Sequence, residues 1–248
     1  MNARLIINKD KTAYFHMASD EYLLGTIKEP VLRLYTWKPK AVSIGRFQSV
    51  NDVVHIDACA YDNVDVVRRM TGGGAVYHDK EITYSFVFPL VRFPHMQDLH
   101  ESYITIEQAL IRALDMNGIH AEHSGLNDIT VNGKKISGCA QTRKHRNVLQ
   151  HGTLLLNVDL EKMFTYLIVS KEKMSDKIYQ EASLRVTSIE KEIGHSVDID
   201  DFVKNIVSGF SYIFGIRFFK NAFSSEEVRK IKKIEKQKYR SKAWLYER

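Results

Sequence analysis

The chain has little of what would place it in a specialised protein class. Only two of its 248 residues are cysteine, Cys59 and Cys139. Two cannot build a disulfide framework, and no CxxC or HExxH spacing gathers the ten histidines into a zinc pattern. Four prolines and thirteen glycines, with no Pro/Gly/Ser-rich stretch and no internal repeat, exclude collagen-like and linker-joined organisation. The longest uncharged apolar run of note, residues 82–91, is too short to span a bilayer and contains Pro89. The opening MNARLIINKDKTAYFHM lacks the continuous apolar core of a secretion signal. The expectation is a cytoplasmic protein in a reducing compartment, with no membrane partner.

Apolar residues make up 44% and charged residues 27%, an ordinary globular balance, so the net charge of +6 is the unusual number. It is localised. Residues 217–248 hold 11 Lys/Arg against 4 Asp/Glu, while the rest of the chain holds 25 against 26. Within that basic tail Val228, Ile231, Ile234 and Tyr239 recur at helical spacing, which makes the lysines the solvated side of a docked helix. No aromatic stacking platform accompanies them, and no nucleic-acid partner is expected.

A helix is predicted over 14–24, where Phe15, Ala18, Tyr22 and Leu23 share a face and Gly25 ends it. Strands are predicted over 31–37, 41–44 and 64–69, then over 75–77 and 82–88 beyond three successive glycines. A second helix over 102–116 buries Ile106, Ala109, Leu110, Ala113 and Leu114. Asn132-Gly133 between 128–131 and 134–140 spells a β-hairpin with a two-residue turn. A polar loop over 142–147 and a strand over 148–158 follow, and beyond Leu160 the pattern turns helical. Phe202, Ile206 and Phe210 share one helical face, and Ser224-Ser225-Glu226-Glu227 is a capping box. This order predicts an α+β fold with mixed, largely antiparallel sheets flanked by helices. It forms a single domain over 1–248, with a mainly helical portion at 198–248.

Chemistry concentrates in two places. The first is Val67-Arg68-Arg69-Met70-Thr71-Gly72-Gly73-Gly74-Ala75-Val76-Tyr77-His78-Asp79. Three glycines allow backbone conformations closed to other residues and leave amides uncovered. Beside Arg68 and Arg69 they form either a phosphate-binding anion site or a glycine-rich turn with two solvated arginines. Neither Walker nor Rossmann spacing is present. The second place is the hairpin. Strict alternation puts Lys135 on one face with Ser137 and Cys139. Such a lysine either holds a carboxylate and a phosphate together as they react or is an exposed surface group. Asn127-Asp128 at its entry offers oxygen ligands for magnesium, or ordinary loop chemistry.

Together RRMTGGGAVYHD, LNDITVNGKKISGCAQ and LQHGTLLLNVDL resemble the lipoate–protein ligase A family and its octanoyltransferase relatives, within the biotin/lipoate ligase, class II synthetase-like fold. LYTWKPKAVSIGRFQ, SLRVTSI and KYRSKAW extend the resemblance over nearly the whole length. It implies that Arg69, Thr71, Gly72, Gly73, Gly74, Ala75, Val76, Tyr77 and His78, with Asn127 and Asp128, line an acyl-adenylate or ATP. Lys135 is then the catalytic contact to the carboxyl oxygen and α-phosphate, and Asp128 the candidate magnesium ligand. Trp37, Gly45 and Arg46 belong to the lipoyl-tail pocket. The implied cofactors are ATP and Mg2+, with lipoate as substrate and no tightly bound prosthetic group.

The expected activity is an ATP-dependent lipoate–protein ligase that forms lipoyl-AMP and passes the lipoyl group to an acceptor lysine. The acceptor is a lipoyl domain of a 2-oxoacid dehydrogenase E2 or a glycine-cleavage H protein. The resemblance also implies a separate small accessory subunit, its domain being absent from this sequence. The alternative is an octanoyl or lipoyl transferase drawing on an acylated carrier protein, and a third reading is a non-catalytic binding protein. The transferases carry a cysteine either just before the hairpin, where this chain has Gly125-Leu126-Asn127-Asp128, or after an L-N pair, where it has Val158. Cys139 stands elsewhere and reads as a packing thiol.

Overall fold

In a computed structural model that describes residues 1–168 and 183–248, the chain winds round two sheets. Strand β1 (Asn2–Lys11) leads into helix α1 (Ala13–Thr26), which Thr12 caps by accepting the Phe15 N–H. Strands β2 (Val31–Trp37) and β3 (Ala41–Ile44), short helices α2 (Val50–Val53) and α3 (Ile56–Tyr61), and strands β4 (Asp65–Arg68), β5 (Val76–His78) and β6 (Glu81–Pro89) follow. Helix α4 (Leu99–Asp115) precedes β7 (Glu122–Ser124), β8 (Asp128–Val131), β9 (Lys134–Lys144) and β10 (Asn147–Leu155). The rest holds α5 (Leu160–Tyr166), α6 (Ile189–Ile193), α7 (Ile199–Phe214), β11 (Arg217–Lys220), α8 (Ser225–Ile234), a π-turn over Glu235–Tyr239 and α9 (Lys242–Leu245).

The large sheet runs β11-β1-β2-β6-β10-β9-β8-β7 and the small one β4-β3-β5. Only β11–β1, β1–β2 and β3–β4 are parallel. The fold is therefore α+β with mixed, largely antiparallel sheets. Period-2 alternation splits the large sheet's side chains between two cores. Leu32, Leu34, Phe86, Phe88, Val148 and Leu154 face α4 and α7, where Ile106, Leu110, Phe202 and Phe210 meet them. Val31, Val87 and Leu149 face the other way, against Leu23 and Leu24 of α1. With both faces covered, all nine residues of β6 are buried.

Helices α4 and α7 touch at backbone distance. A methyl group on Gly209 would collide with the carbonyl oxygen of Ala109. Alanine in a helix is ordinarily the better residue, yet Gly209→Ala should cost about 1–3 kcal/mol through overpacking. A lowered urea midpoint with unchanged slope is the expected reading.

The hairpin at Asn132-Gly133 forms with both turn residues at positive φ, +50° and +74°. Two local expectations are corrected. Residues 142–147 are not a loop, because β9 and β10 continue to a second two-residue turn at His145-Arg146, φ +54° and +61°. Pairing of β10 with β6, and the Asn147 amide donating to the Leu24 carbonyl at 2.8 Å, hold this turn without glycine. Nor does Gly25 end the first helix, which continues to Thr26 because Leu23 and Leu24 are locked into the core. In the basic tail Ile231 and Tyr239 are buried against α1, and the capping box at Ser224 is formed. Among the described residues no helix is long and apolar enough to cross a membrane.

Candidate active site

Between the two sheets lies a cleft of about 350 Å3. Met17 of α1, Tyr35 and Trp37 of β2, Ala75 and Val76 beside the glycine loop, Leu155, Met163 and Leu167 give it an apolar wall. Lys135, Asn127, His151 and Asp159 add polar groups. An apolar cleft with a few convergent polar groups suits a medium-length acyl chain bearing a reactive carbonyl.

A bulge decides what faces this cleft. Thr130 pairs with Lys135 and Ile129 with Ser137, so Ile136 is the extra residue. The bulge puts Lys135, Gly138 and Ala140 on the cleft side and Ile136 and Ser137 on the side of α4 and α7, while Cys139 packs into that core and also lines the cleft. A Cβ on Gly138 would meet the Lys135 Nζ at 2.6 Å and Asp128 Oδ1 at 3.2 Å, which shows that these groups share one surface. The expected shared face of Lys135, Ser137 and Cys139 is thus corrected. Lys135 pairs with Asp128 at 2.6 Å, both partly exposed, and Thr187 donates to the Lys135 carbonyl at 2.9 Å.

The glycine loop is built from inside. Arg69 is 6% exposed and donates to the carbonyls of Gly72 and Gly74 at 2.7 Å each and of Ser43 at 3.0 Å. Burial pushes its guanidinium down to about 10. Arg68, fully buried, donates to the carbonyls of Gln48 at 2.6 Å and of Leu245 at 2.6 Å. Neither arginine is solvated, which corrects the reading of a turn with two solvated arginines, and Arg69 also lines the cleft. A Cβ on Gly45 would strike the Gly73 carbonyl, so Gly45 is where β3 meets the loop. Arg46 pairs with Glu247 and lies over the Trp244 ring at 4.5 Å, away from the cleft lining. Tyr77 packs beside Tyr166, ring centres 5.1 Å apart.

Two hydrogen-bonded chains border the cleft. Thr71 Oγ1 lies 2.7 Å from His151 Nε2, and His151 Nδ1 lies 2.9 Å from Asp20, which is itself paired with buried Arg33. Ser43 Oγ lies 2.7 Å from His78 Nε2, and His78 Nδ1 lies 2.7 Å from Glu81. Trp37 stacks on His78 with ring centres 4.0 Å apart and donates to Thr83 and Glu81 at 2.7 and 3.1 Å. Sequence reading found Trp37, His78 and Thr71 but missed Asp20, Ser43, Glu81 and His151. His151 and Ser43 stood inside the quoted LQHGT and LYTWKPKAVSIGRFQ segments, whereas Asp20 and Glu81 carried no spacing signal.

Cys139 lines the cleft, but its thiol is turned toward α4, donating to Glu107 at 3.3 Å and to the Asn127 carbonyl at 3.4 Å. Burial, then the Glu107 charge, push it well above the ordinary thiol range. Cys59 is buried in α3, and burial raises it to about 11. Neither is a ready thiolate. Among the described residues no three His, Cys, Asp or Glu side chains are grouped to hold a metal ion.

Fold and cleft together define a two-sheet α+β domain with an apolar cleft between the sheets. Residues 12–211 match the lipoyl protein ligase A/B catalytic domain, and the chain belongs to that family. It is 32% identical to the octanoyltransferase LipM of Clostridioides difficile, over 93% of this chain and 94% of that one. Against the octanoyltransferase LipM of Bacillus subtilis it is 28% identical over 99% and 98%. Among solved structures it superposes on a bipartite lipoate protein ligase of Thermoplasma acidophilum, described with its E2 lipoyl domain. That match has TM-score 0.89 and 27% identity, covering 99% of this chain and 96% of the other. The near-full-length octanoyltransferase relatives overturn the expected ATP-dependent ligase activity and its acyl-adenylate.

Proposed function

We propose that the chain is an octanoyltransferase, moving an octanoyl group from the thioester of an acyl carrier protein to the ε-amine of a lysine on a lipoyl acceptor domain. Near-full-length similarity to octanoyltransferases carries this reading. The acceptor is an E2 lipoyl domain or a glycine-cleavage H protein, in keeping with the lipoylation family. Octanoyl lies along Met17, Tyr35 and Val76, with its carbonyl beside Lys135.

The chain's two cysteines are Cys59 and Cys139. Cys139 lines the cleft, but its thiol is held by Glu107 and the Asn127 carbonyl and raised well above the ordinary thiol range, and Cys59 is buried in α3, so transfer is direct. The acceptor amine nitrogen attacks the thioester carbonyl, the carbonyl oxygen becomes an oxyanion, and the C–S bond then breaks. The amine's proton leaves with the carrier thiol. The Lys135 ammonium donates to the oxyanion, where a fixed donor acts most strongly.

The test is intact-mass measurement on an apo acceptor domain mixed with octanoyl carrier protein and the chain, without ATP. The acceptor should gain one octanoyl group. Cys139→Ser should transfer at a rate close to wild type, with no octanoyl adduct on the chain at any time. An acceptor left unmodified, or an adduct on Cys139, would sink the proposal.

A further inference from the structure

The two chains of hydrogen bonds beside the cleft have the same make-up: a hydroxyl, an imidazole and a carboxylate. Each joins the small sheet to the large one. Thr71 follows β4 of the small sheet, His151 stands on β10 of the large sheet, and Asp20 backs it from α1. Ser43 and His78 stand on β3 and β5 of the small sheet, and Glu81 opens β6 of the large one.

For a neutral imidazole in each chain, the carboxylate at Nδ1 takes the ring N–H and leaves Nε2 to accept the hydroxyl proton. Arg69, a donor only, reaches Ser43 Oγ at 3.3 Å, which agrees with a Ser43 hydroxyl that points its proton at His78. Both ring nitrogens of both histidines are therefore occupied. Thr71 is 1% exposed and absent from the cleft lining, so its hydroxyl meets the imidazole and not the acyl chain.

What this arrangement does hold is the glycine loop. The Arg46 N–H donates to the Thr71 carbonyl at 2.8 Å, and Arg69 ties Gly72 and Gly74 together. Residues 71–74 are thus braced as one piece, and Gly73 and Gly74 line the cleft. Thr71 to His151 is the side-chain link from that piece to the large sheet. Asp20 keeps the imidazole in register, being itself gripped by Arg33.

We propose that His151, with Asp20 behind it, is a positioning residue that sets the glycine loop over the acyl chain through the Thr71 hydroxyl. A hydroxyl–imidazole–carboxylate order is also that of activated hydroxyl nucleophiles, so the test must separate a strut from a nucleophile.

Four variants do so. Thr71→Ser keeps the hydroxyl and Thr71→Val removes it at nearly constant shape. A glutamine amide overlays the imidazole Nε2 and an asparagine amide its Nδ1, so His151→Gln keeps an acceptor for Thr71 while His151→Asn loses it. Thr71→Val and His151→Asn should speed hydrogen exchange of amides in residues 70–76 by about five- to tenfold, the worth of one hydrogen bond. Amides of α4 serve as the reference for global unfolding. Thr71→Ser and His151→Gln should stay within about twofold of the parent, the scale of a few tenths of a kcal/mol.

The second readout rests on the octanoyl-transfer reading: Thr71→Val should raise KM for octanoyl carrier protein more than it lowers kcat. The exchange measurement needs no substrate, so failure of the strut and failure of that reading are distinguishable. Equal loop exchange in Thr71→Val and Thr71→Ser would overturn the proposal. So would an octanoyl ester on Thr71 or Ser43.

Discussion

Lys135→Met should cut octanoyl transfer roughly 100- to 1,000-fold, the usual cost of removing one oxyanion donor. Methionine keeps the length and apolar stem of lysine, so the cleft wall persists while the charge goes. Lys135 and Asp128 have side chains 43% and 35% exposed, and an ion pair that wet is worth at most about 1 kcal/mol of stability. The variant should therefore melt close to the parent, and the loss should fall on kcat more than on KM. Single-turnover mass spectrometry of the acceptor measures it. Transfer at the parent rate would remove Lys135 from the chemistry.

The largest effect on stability should come from Arg33→Met. Arg33 is fully buried, pairs with Asp20, donates to His16 Nδ1 at 3.1 Å and lies over the Tyr35 ring at 4.6 Å. Removing it strands a buried carboxylate, at a cost of about 3–5 kcal/mol. The same cluster makes the parent sensitive to acid. Burial alone would raise Asp20, but the Arg33 charge and the His151 hydrogen bond hold it below the usual carboxylate value of 3.8. Burial, then the Arg33 charge, hold His16 well below 6.5.

For both groups the unfolded chain binds more protons, so stability rises with pH across the interval between unfolded and folded values. The His16 contribution is complete above about pH 6.5 and declines as pH falls from there. The Asp20 contribution declines further below pH 3.8. Urea midpoints at pH 7.5, 6 and 5 should step downward. His16→Asn, whose amide does not titrate, should flatten the upper part of that slope; an unchanged slope would remove His16 as its cause.

Legibility in the sequence followed the reach of the interaction. Asn132-Gly133 declared its hairpin because both residues tolerate positive φ and the answer lies within four residues. His145-Arg146 makes the same kind of turn without that chemistry, because pairing with β6 imposes it. Arg68 and Arg69 read either as one anion-binding pair or as two solvated arginines. Arg68 is instead spent on carbonyls of Trp244 and Leu245, some 176 positions away. Lys135 was found by its motif, but the cleft-facing set around it was misassigned, since one bulged residue reverses the alternation between Lys135 and Ser137. The partners Asp20, Thr71 and His151 come from α1, the glycine loop and β10, and only the folded sheet brings them together. The transferase chemistry was misjudged for another reason. Family motifs shared by ligases and transferases locate the acyl cleft without saying which activated acyl group enters it.

The parallel pairing of β1 with β11 has a consequence for how the protein is made. Strand β1, residues 2–11, is synthesised long before its outer neighbour and finds it only when residues 217–220 have been made. Until then the growing chain carries an unpatched edge at Asn2 to Leu5, with main-chain groups open to any other extended segment. A nascent chain halted before residue 217 should recruit chaperones and aggregate, whereas one released just beyond it should close that edge. Residues 217–220 thus act as a late seal on a domain whose cleft-lining residues all lie upstream.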